Sequence, residues 1–467
     1  MIISSVRLGH ASSSSSTHSI LLNSKSPARL PVDGEFQYGW DWFHIKDREG
    51  KAKYLAALIF TVLGREMAPE HAAIIARELT GYNPLTDQIR PGRYSDLPSL
   101  SAYVDHQSVP VFPMAFDQKH YDPQFMAEFV KCIRDDPRVS IRGGNDNADE
   151  HENWVEGDPH LVDALNRDGP GRVYCRKDGS WWVLFNRLTG AKIRLSFAKN
   201  PAPYLKASVP ELVDVKITNC CDQECGFCYQ DSGKSGRHAD PELLSSIAYA
   251  CREKKIFEVV LGGGEPTRHP QFGKVLHAFD MYGISVSFTA YDMRWIRDET
   301  ITKDVIERAS SFAVSSPYCI KEISNWNGRS DVPKASLHIP LGCHDQKTLR
   351  RALVQAEALN VPVTFLGFKK TGRGKAFPME DYKWVLDHIV GSDAWRRFGA
   401  DSAFVLEFGE ELKARGISEK LMVNREGAFS CYIDAVGMKV GASSYAADFY
   451  ELPEDRNACF SRFPYVP

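Results

Sequence analysis

Apolar, strand-like runs alternate with helical segments through the second half of the chain. The six predicted strands are residues 213–219, 257–261, 284–289, 312–315, 335–340 and 361–368. Between them, apolar residues at helical spacing predict helices at residues 241–255, 270–282, 301–310 and 346–359. Nearly continuous apolar strands that alternate with helices are typical of a parallel sheet. We therefore expect an α/β fold in this region.

The first 200 residues show a different pattern, which predicts an α+β domain. Helical spacing of apolar residues indicates two helices, around residues 54–62 and 72–79, and a third at residues 123–133 with Asp122 as its cap. Three strands joined by Lys-Asp-Gly and Leu-Thr-Gly turns predict a β-meander over residues 172–195. We can attach no motif of this region to a chemistry.

A serine-rich tract near the start of the chain has two interpretations. Short predicted strands at residues 3–8 and 19–22 flank it. The tract is either a flexible loop, or part of a strand pair that presents its hydroxyls and His10 or His18 to the active site or to a phosphate.

Residues 143–160 are dense in Asp, Glu, Asn and His. Such runs are usually solvated loops. A metal site on His151, His160 and nearby carboxylates is the alternative, although the segment has neither a helical His-x3-His spacing nor a calcium-loop spacing.

The composition narrows the class of protein. A length of 467 residues predicts two or three domains, and 43% hydrophobic and 25% charged residues are typical of a soluble globular protein. The net charge of −3 argues against a general nucleic-acid binder. No signal peptide or membrane-length apolar run is present, and eleven irregularly spaced cysteines favour a reducing compartment. We expect a cytoplasmic protein without a membrane partner.

Three cysteines follow the first predicted strand of the α/β region. Cys221, Cys225 and Cys228 have CxxxCxxC spacing, so their thiolates can bind three irons of a [4Fe–4S] cluster and leave the fourth iron open. A zinc site or buried thiols are the alternatives, although zinc sites usually pair CxxC with a second such knuckle, which the chain lacks. Cys220 does not fit the spacing and is interpreted as a spare thiol.

A glycine-rich turn follows the second predicted strand. It reads GGGEP, and glycines allow the backbone to approach a ligand closely. Together the two motifs resemble the radical S-adenosylmethionine (SAM) superfamily. Its Cys-x3-Cys-x-aromatic-Cys signature is matched by Cys221, Cys225, Phe227 and Cys228, and its Gly-Gly-Glu-Pro turn by residues 263–266.

The resemblance implies a fold, two cofactors and their sites. The fold is a partial (β/α)6 barrel over residues 211–375, with the ligands at the carboxyl ends of its strands. One [4Fe–4S] cluster on the three cysteines would cleave SAM to a 5′-deoxyadenosyl radical, with an electron donor such as flavodoxin or ferredoxin. Phe227 would lie by the adenine, and Gly263, Gly264 and Glu265 near the SAM amino group. Thr289 and Ser315 would contact the SAM ribose or carboxylate.

Other candidates follow from the same strand-end rule. Tyr291 and Ser316 lie at strand ends, whereas His338 lies within the fifth strand and could instead face the helices. Four basic residues follow the sixth strand, and they form either an anion cradle or a solvated turn. These residues are Lys369, Lys370, Arg373 and Lys375. A cradle would favour an anionic substrate such as a nucleotide.

The last segment, residues 376–467, is expected to form a C-terminal α/β extension that caps the open barrel. It contains a predicted helix at 379–390, a strand at 402–407 and a hairpin through 430–434 and 438–443. A second cluster is not expected, because no closely spaced run joins the remaining cysteines. Those considered are Cys319, Cys343, Cys431 and Cys459.

Three functions fit these observations. The first is a radical SAM enzyme that acts on a small molecule, which the basic segment favours. The second is a radical SAM peptide or protein modifier, in which the N-terminal domain binds the substrate by strand addition to the meander. The third is a non-catalytic iron–sulfur redox sensor, against which the GGGEP turn argues.

Overall fold

The computed structural model divides into two compact units, residues Met1–Pro203 and Tyr204–Pro467. The described residues are 2–7, 16–22, 37–38, 43–63, 67–84, 103–104, 123–145, 173–187, 190, 192–378, 382–387, 398–415, 422 and 425–465.

The described part of the first unit combines short sheets with three helices. Its strands are β1 (Ile2–Arg7), β2 (Ser16–Leu22), β3 (Gln37–Tyr38), β4 (Phe43–Ile45), β5 (Tyr103–Val104), β6 (Val139–Asn145), β7 (Val173–Asp178), β8 (Trp181–Asn186) and β9 (Lys192–Ser196). Its helices are α1 (Arg48–Leu63), α2 (Pro69–Thr80) and α3 (Pro123–Asp135), and all three were predicted. Strands β7, β8 and β9 pair antiparallel in chain order, in agreement with the predicted meander.

The two N-terminal strands do not form the pair that one interpretation of the serine tract required. β1 pairs antiparallel with β9, whereas β2 pairs with β6, so the two strands belong to different sheets. Both partners are far away in sequence, and local patterns carry no signal for such pairing. His10 and most of the tract, and likewise His151 and His160, lie outside the described residues.

The second unit alternates strands and helices, which confirms the predicted α/β class. Its strands are β10 (Leu212–Thr218), β11 (Glu258–Gly263), β12 (Ser285–Ala290), β13 (Ser311–Val314), β14 (Lys334–Pro340), β15 (Val363–Leu366), β16 (Phe398–Ala400), β17 (Ser430–Asp434), β18 (Lys439–Gly441) and β19 (Phe449–Glu451). Its helices are α4 (Pro241–Glu253), α5 (Phe272–Asp280), α6 (Glu299–Arg308), α7 (Ile320–Asn327), α8 (Gln346–Ala358) and α9 (Ser402–Ala414).

One sheet of mostly parallel strands organises this unit. Its order is β16-β15-β14-β13-β12-β11-β10-β17-β18-β19, and every pair from β16 to β17 is parallel. Seven strand spacings separate β16 from β17, which is about 34 Å in a flat sheet. Yet the Ser402 hydroxyl, just after β16, donates a hydrogen bond to Glu426, just before β17. The sheet is therefore curled into a partial barrel.

The two faces of the curled sheet differ sharply. On β10, Val213, Val215 and Ile217 are fully buried, and the helices pack on this outer face. The register places Asp214 beside Val260 and His338 beside Thr364 on the other face, which lines the interior and is mostly polar and half-buried. A polar, partly accessible interior is the space in which an α/β barrel binds its ligands.

Two elements differ from the sequence-based expectation. The segment at 402–407, predicted as a strand, begins α9, because Asp401 caps a helix by accepting from the Phe404 N–H and its apolar residues recur every four residues. Helix α7 was not predicted, although its buried residues Ile320, Ile323 and Trp326 recur every three positions. Half of the helix predicted at 379–390 lies outside the described residues.

The C-terminal hairpin joins the barrel sheet. Strands β17 and β18 pair antiparallel as predicted, and β17 also pairs in parallel with β10, so the hairpin extends the sheet beyond its first barrel strand. Within the ranges that the structure describes, no helix has the length and apolar character needed to cross a membrane. The boundaries proposed at residues 200, 211 and 375 stay predictions.

Candidate radical SAM site

The cysteine loop is held by main-chain hydrogen bonds directly after β10. The Cys221 N–H donates to the Gly233 carbonyl at 3.0 Å, and the Cys228 N–H donates to the Cys225 carbonyl at 3.1 Å. Asp231, which closes the loop, adopts a positive φ of 52°. The short loop therefore places three cysteines at the carboxyl end of β10.

The three thiols lie close enough to influence one another. Burial, and then the thiols of Cys221 and Cys228, raise the pKa of Cys225 to about 11. Burial also raises the pKa of Cys221, with Glu265 and Cys228 adding to the effect. The three residues are half-buried rather than fully enclosed. A positively charged metal centre can therefore reach their sulfur atoms.

The Cys220 thiol has a different environment. It donates to the Lys234 carbonyl at 3.5 Å, which agrees with its interpretation as a spare thiol. In the described part of the chain, no group of three or more His, Cys, Asp or Glu side chains is placed to hold one metal ion. A cubane binds each thiolate through a different iron, so its ligands need not meet at one ion.

The GGGEP turn is bonded to the cysteine loop. The Gly264 N–H donates to the Thr218 carbonyl at 2.7 Å, and the Glu265 N–H donates to the Cys220 carbonyl at 2.8 Å. A Cβ atom at Gly263 or Gly264 would collide with the backbone oxygens of Thr218 or Cys220, whereas one at Gly262 would meet no atom within 4 Å. Two glycines therefore permit the junction, and the third faces open space.

Glu265 is a buried carboxyl at this junction. Its Oε2 accepts from the Tyr291 N–H at 2.8 Å, and its Oε1 accepts from the Thr267 hydroxyl at 2.7 Å. The Thr267 N–H also donates to Oε1 at 3.4 Å. Burial raises the pKa of Glu265 to about 7, although these hydrogen bonds oppose the rise. A carboxylate has more acceptor positions than these three donors use, so it retains capacity for a ligand ammonium.

Arg373 clamps the cysteine loop. Its Nε donates to the Cys225 carbonyl at 2.9 Å, and its two terminal nitrogens bind Asp231 Oδ1 at 2.8 Å and the Ser232 carbonyl at 3.0 Å. Its backbone N–H also donates to the Cys228 carbonyl. Arg373, predicted as part of an anion cradle, thus has its guanidinium engaged by the loop that carries the cluster ligands.

The other basic residues of the segment do not converge with Arg373. Lys369 Nζ lies 3.5 Å from Asp401 Oδ2, whereas Lys370 and Lys375 are exposed to solvent. The anion cradle stays a prediction, and two of its four members already have protein partners.

The aromatic position of the motif lies in a partly apolar niche. The Phe227 ring centroid is 5.5 Å from that of Phe377 and 5.8 Å from that of His344, both in edge-to-face geometry. His344 Nε2 is buried without a hydrogen-bond partner, as is Asn219 Oδ1 next to the cysteine loop. The unpaired His344 Nε2 beside the Phe227 ring fits a purine-containing ligand, because such a ligand has donors that can pair with it.

The remaining predicted residues lie around the same end of the sheet. Thr289 is half-buried on the interior face of β12, and Ser315 follows β13 with its N–H bonded to the Ala290 carbonyl. The Ser316 N–H donates to the Tyr291 carbonyl. His338 faces the interior, since its neighbours Leu337 and Ile339 are buried on the helix side, so the interpretation of a helix-packed histidine is wrong.

Cys343 is a neighbour of the cysteine loop that the motifs did not reveal. Burial, and then Cys225, raise its pKa to about 12. It follows β14, so the strand-end rule could have included it.

A second set of three cysteines converges far from the loop. Cys251 on α4, Cys431 on β17 and Cys459 near the C-terminus are fully buried, and burial raises the pKa of each thiol, to about 11 for Cys459. Cys431 interacts electrostatically with both other thiols. We call these residues the buried trio, and Cys221, Cys225 and Cys228 the loop trio.

A family model matches the part of the chain that contains both motifs. Residues 215–301 match the model described as the Radical SAM superfamily, and this span includes the loop trio and the GGGEP turn. Residues 215–301 therefore carry a radical SAM domain. A radical SAM domain implies a [4Fe–4S] cluster and SAM binding. No curated protein sequence matches the chain.

Some solved radical SAM structures are weakly similar to this chain. Streptococcus suis SuiB bound to the precursor peptide SuiA is 13% identical, with a TM-score of 0.47 over 62% of this chain and 87% of that one. SuiB bound to S-adenosylmethionine is 12% identical, with a TM-score of 0.46 over 62% and 88%. Native anSMEcpe with bound AdoMet and Cp18Cys peptide is 12% identical, with a TM-score of 0.33 over 51% and 75%.

Proposed function

We propose that this protein is a single-cluster radical SAM enzyme. The observation that carries the proposal is the junction of its two motifs. The cysteine loop and the GGGEP turn meet at the carboxyl ends of the adjacent parallel strands β10 and β11, joined by hydrogen bonds from Gly264 and Glu265. A cluster on the loop and a ligand on the turn would therefore be neighbours above one partly open interior.

The chain's own residues would perform the following tasks. Cys221, Cys225 and Cys228 would each bind one iron and leave the fourth iron to SAM. When bound, the cluster and SAM supply a 5′-deoxyadenosyl radical that takes a hydrogen atom from the substrate. The outer apolar face and the helices on it would exclude water from the interior, as cofactor enzymes require.

The SAM contacts are proposed from the positions of the same residues. Glu265 would accept a hydrogen bond from the SAM ammonium, and Gly262, whose Cβ direction is open, leaves room for the ligand beside Gly263. Phe227 and His344 would flank the adenine, because the unpaired His344 Nε2 needs a partner. Thr289 and Ser315 stay candidates for the ribose or the carboxylate.

The test is anaerobic SAM cleavage by reconstituted protein. Wild-type protein with SAM and dithionite should produce 5′-deoxyadenosine, measured by chromatography and mass spectrometry. Cys225→Ala protein under the same conditions is the control and should produce none. Fully loaded wild-type protein that yields no 5′-deoxyadenosine would support the redox-sensor function instead.

A further inference from the structure

Four charged side chains meet inside the curled sheet, beside the cysteine loop. We call them the interior charge cluster: Asp214 on β10, Lys369 after β15, Asp401 at the start of α9 and Glu426 before β17. The Lys369 ammonium lies over the rings of Tyr229 at 4.9 Å and Tyr445 at 5.0 Å. Because Tyr229 directly follows Cys228, the interior charge cluster is adjacent to the loop that would bind the iron.

The negative charge in this cluster exceeds the positive charge. Three carboxyl groups accompany one ammonium, and two of the three have protein partners. Asp401 pairs with Lys369 and caps α9. Glu426 accepts from the Tyr445 hydroxyl at 2.5 Å and from the Ser402 hydroxyl. Asp214 is the third carboxyl group, and it has no such partner.

Asp214 has no hydrogen bond or ion pair with any described residue. Its side chain lies on the interior face of β10, where the surrounding protein desolvates it, yet the residue retains accessible surface. Burial raises the pKa of Asp214 to about 7, although Lys369 opposes the rise. An enclosed, unpaired carboxylate is unfavourable until a positive charge or a proton accompanies it.

His338 provides an independent sign of a ligand in the same space. It is also surrounded by protein but still accessible, and no described residue forms a hydrogen bond with its imidazole. Burial, and then Lys369, lower its pKa to about 4, so the ring is neutral. A neutral imidazole offers one acceptor nitrogen and one donor nitrogen to a ligand.

We propose that this interior space binds a cationic group of the substrate, an ammonium or a guanidinium, with Asp214 as its anchor. The inference rests on the proposed function and names the substrate class of that site. A cation would pair with Asp214 and could donate to His338. An anion would instead meet a surplus of carboxylates, and like charges at close range are repelled strongly. Both a small amine and a lysine or arginine side chain of a peptide carry the required group.

Calorimetry on the reconstituted protein at pH 8.5 tests the proposal with four probes that each have a four-carbon chain. Butylammonium and butylguanidinium should bind, whereas butyrate and 1-butanol should not. Asp214→Asn should weaken the binding of both cations about tenfold to a hundredfold. Asp434→Asn is the matched control. This substitution removes a carboxylate from the same region. Because Asp434 already has Lys216 as its partner at 3.5 Å, its loss should not change cation binding.

Two results would overturn the proposal: butyrate that binds as tightly as butylammonium, or unchanged cation binding by folded Asp214→Asn protein. If that variant does not fold, the cation-to-anion selectivity of the wild type still decides. The peptide acetyl-Gly-Lys-Gly-amide identifies the source of the cation, since tighter binding than butylammonium indicates a peptide and weaker binding a small amine. Wild-type protein that binds cations but makes no 5′-deoxyadenosine would refute the proposed function alone.

Discussion

The loop trio and the buried trio show that proximity of thiols is not enough to make a cluster site. Both contain three cysteines whose thiols interact, and burial raises thiol pKa values in both. The loop trio is half-buried, lies on one loop and faces a polar interior. The buried trio comes from three distant elements and has relative exposures of 0%, 1% and 2%. Thiols enclosed in apolar surroundings are inert.

The two trios also differ in the contacts that hold them in place. Main-chain hydrogen bonds from the GGGEP turn and the Arg373 side chain fix the loop trio from two directions. The buried trio lies on separate elements, with Cys431 on β17 and Cys251 on α4, and its thiols are enclosed by core residues. A preorganised loop keeps its shape when a cofactor leaves, so accessibility and a rigid frame together mark the loop trio as the ligand site.

The test with the largest expected effect removes one cysteine from each trio. Cys225→Ala should abolish cluster binding, because two thiolates on a short loop cannot replace three. The absorption of reconstituted protein at roughly 400 nm, expected from thiolate-to-iron charge transfer, should disappear together with bound iron and sulfide. Cys251→Ala is the matched control from the buried trio and should retain both. Iron and sulfide at wild-type levels in Cys225→Ala protein would contradict the assignment.

A smaller effect is expected from substitutions of glycine in the GGGEP turn. Gly264→Ala should lower the free energy of unfolding by about 2–4 kcal/mol and impair cluster loading, because its Cβ collides with the Cys220 carbonyl. Gly262→Ala in the same turn should change stability by less than about 0.5 kcal/mol. Urea unfolding of the cluster-free proteins measures both. Equal stabilities would show that the turn does not support the loop.

The Arg373 clamp should have a further, smaller effect. Arg373→Ala removes three side-chain hydrogen bonds to the loop, which should destabilise it by about 1–3 kcal/mol and accelerate iron release to a chelator. Lys370→Ala, in the same segment but exposed, should release iron at the wild-type rate. If both variants matched the wild type, the loop would not depend on the clamp.

The smallest effect is expected in the buried trio. Cys431→Ala should cost about 1–2 kcal/mol of stability, since it leaves a small cavity in a filled core. Its iron content after reconstitution should equal that of the wild type. A loss of iron without a loss of the loop-trio absorption would mean that the buried trio binds a second cluster, and the comparison would fail.

Local signals predicted much of the second unit from the sequence. The βα alternation gave the class of fold, because each strand and helix has its own periodicity. The cysteine spacing and the glycine turn gave the candidate site, since each motif is contiguous. Alternation of Val213, Asp214, Val215 and Lys216 along β10 also marks a polar interior face.

Non-local features could not be predicted in the same way. The pairing of β10 with β17 joins segments more than 200 residues apart, and Arg373 contacts a loop about 140 residues before it. Nothing in GFKKTGRGK distinguishes a clamp from an anion cradle, because the partner of each cation is set by tertiary structure. For the same reason the isolation of Asp214 and the convergence of the buried trio become visible only in the fold.

The most direct test of the central claim is electron paramagnetic resonance of the reduced protein, with and without SAM. A cubane on the loop trio has one iron without a protein ligand, so dithionite-reduced protein should show a [4Fe–4S]⁺ signal whose g values shift when SAM is added. The same signal should be absent from Cys225→Ala protein. A reduced wild-type protein without a cubane signal, or with a signal that SAM does not change, would contradict the account.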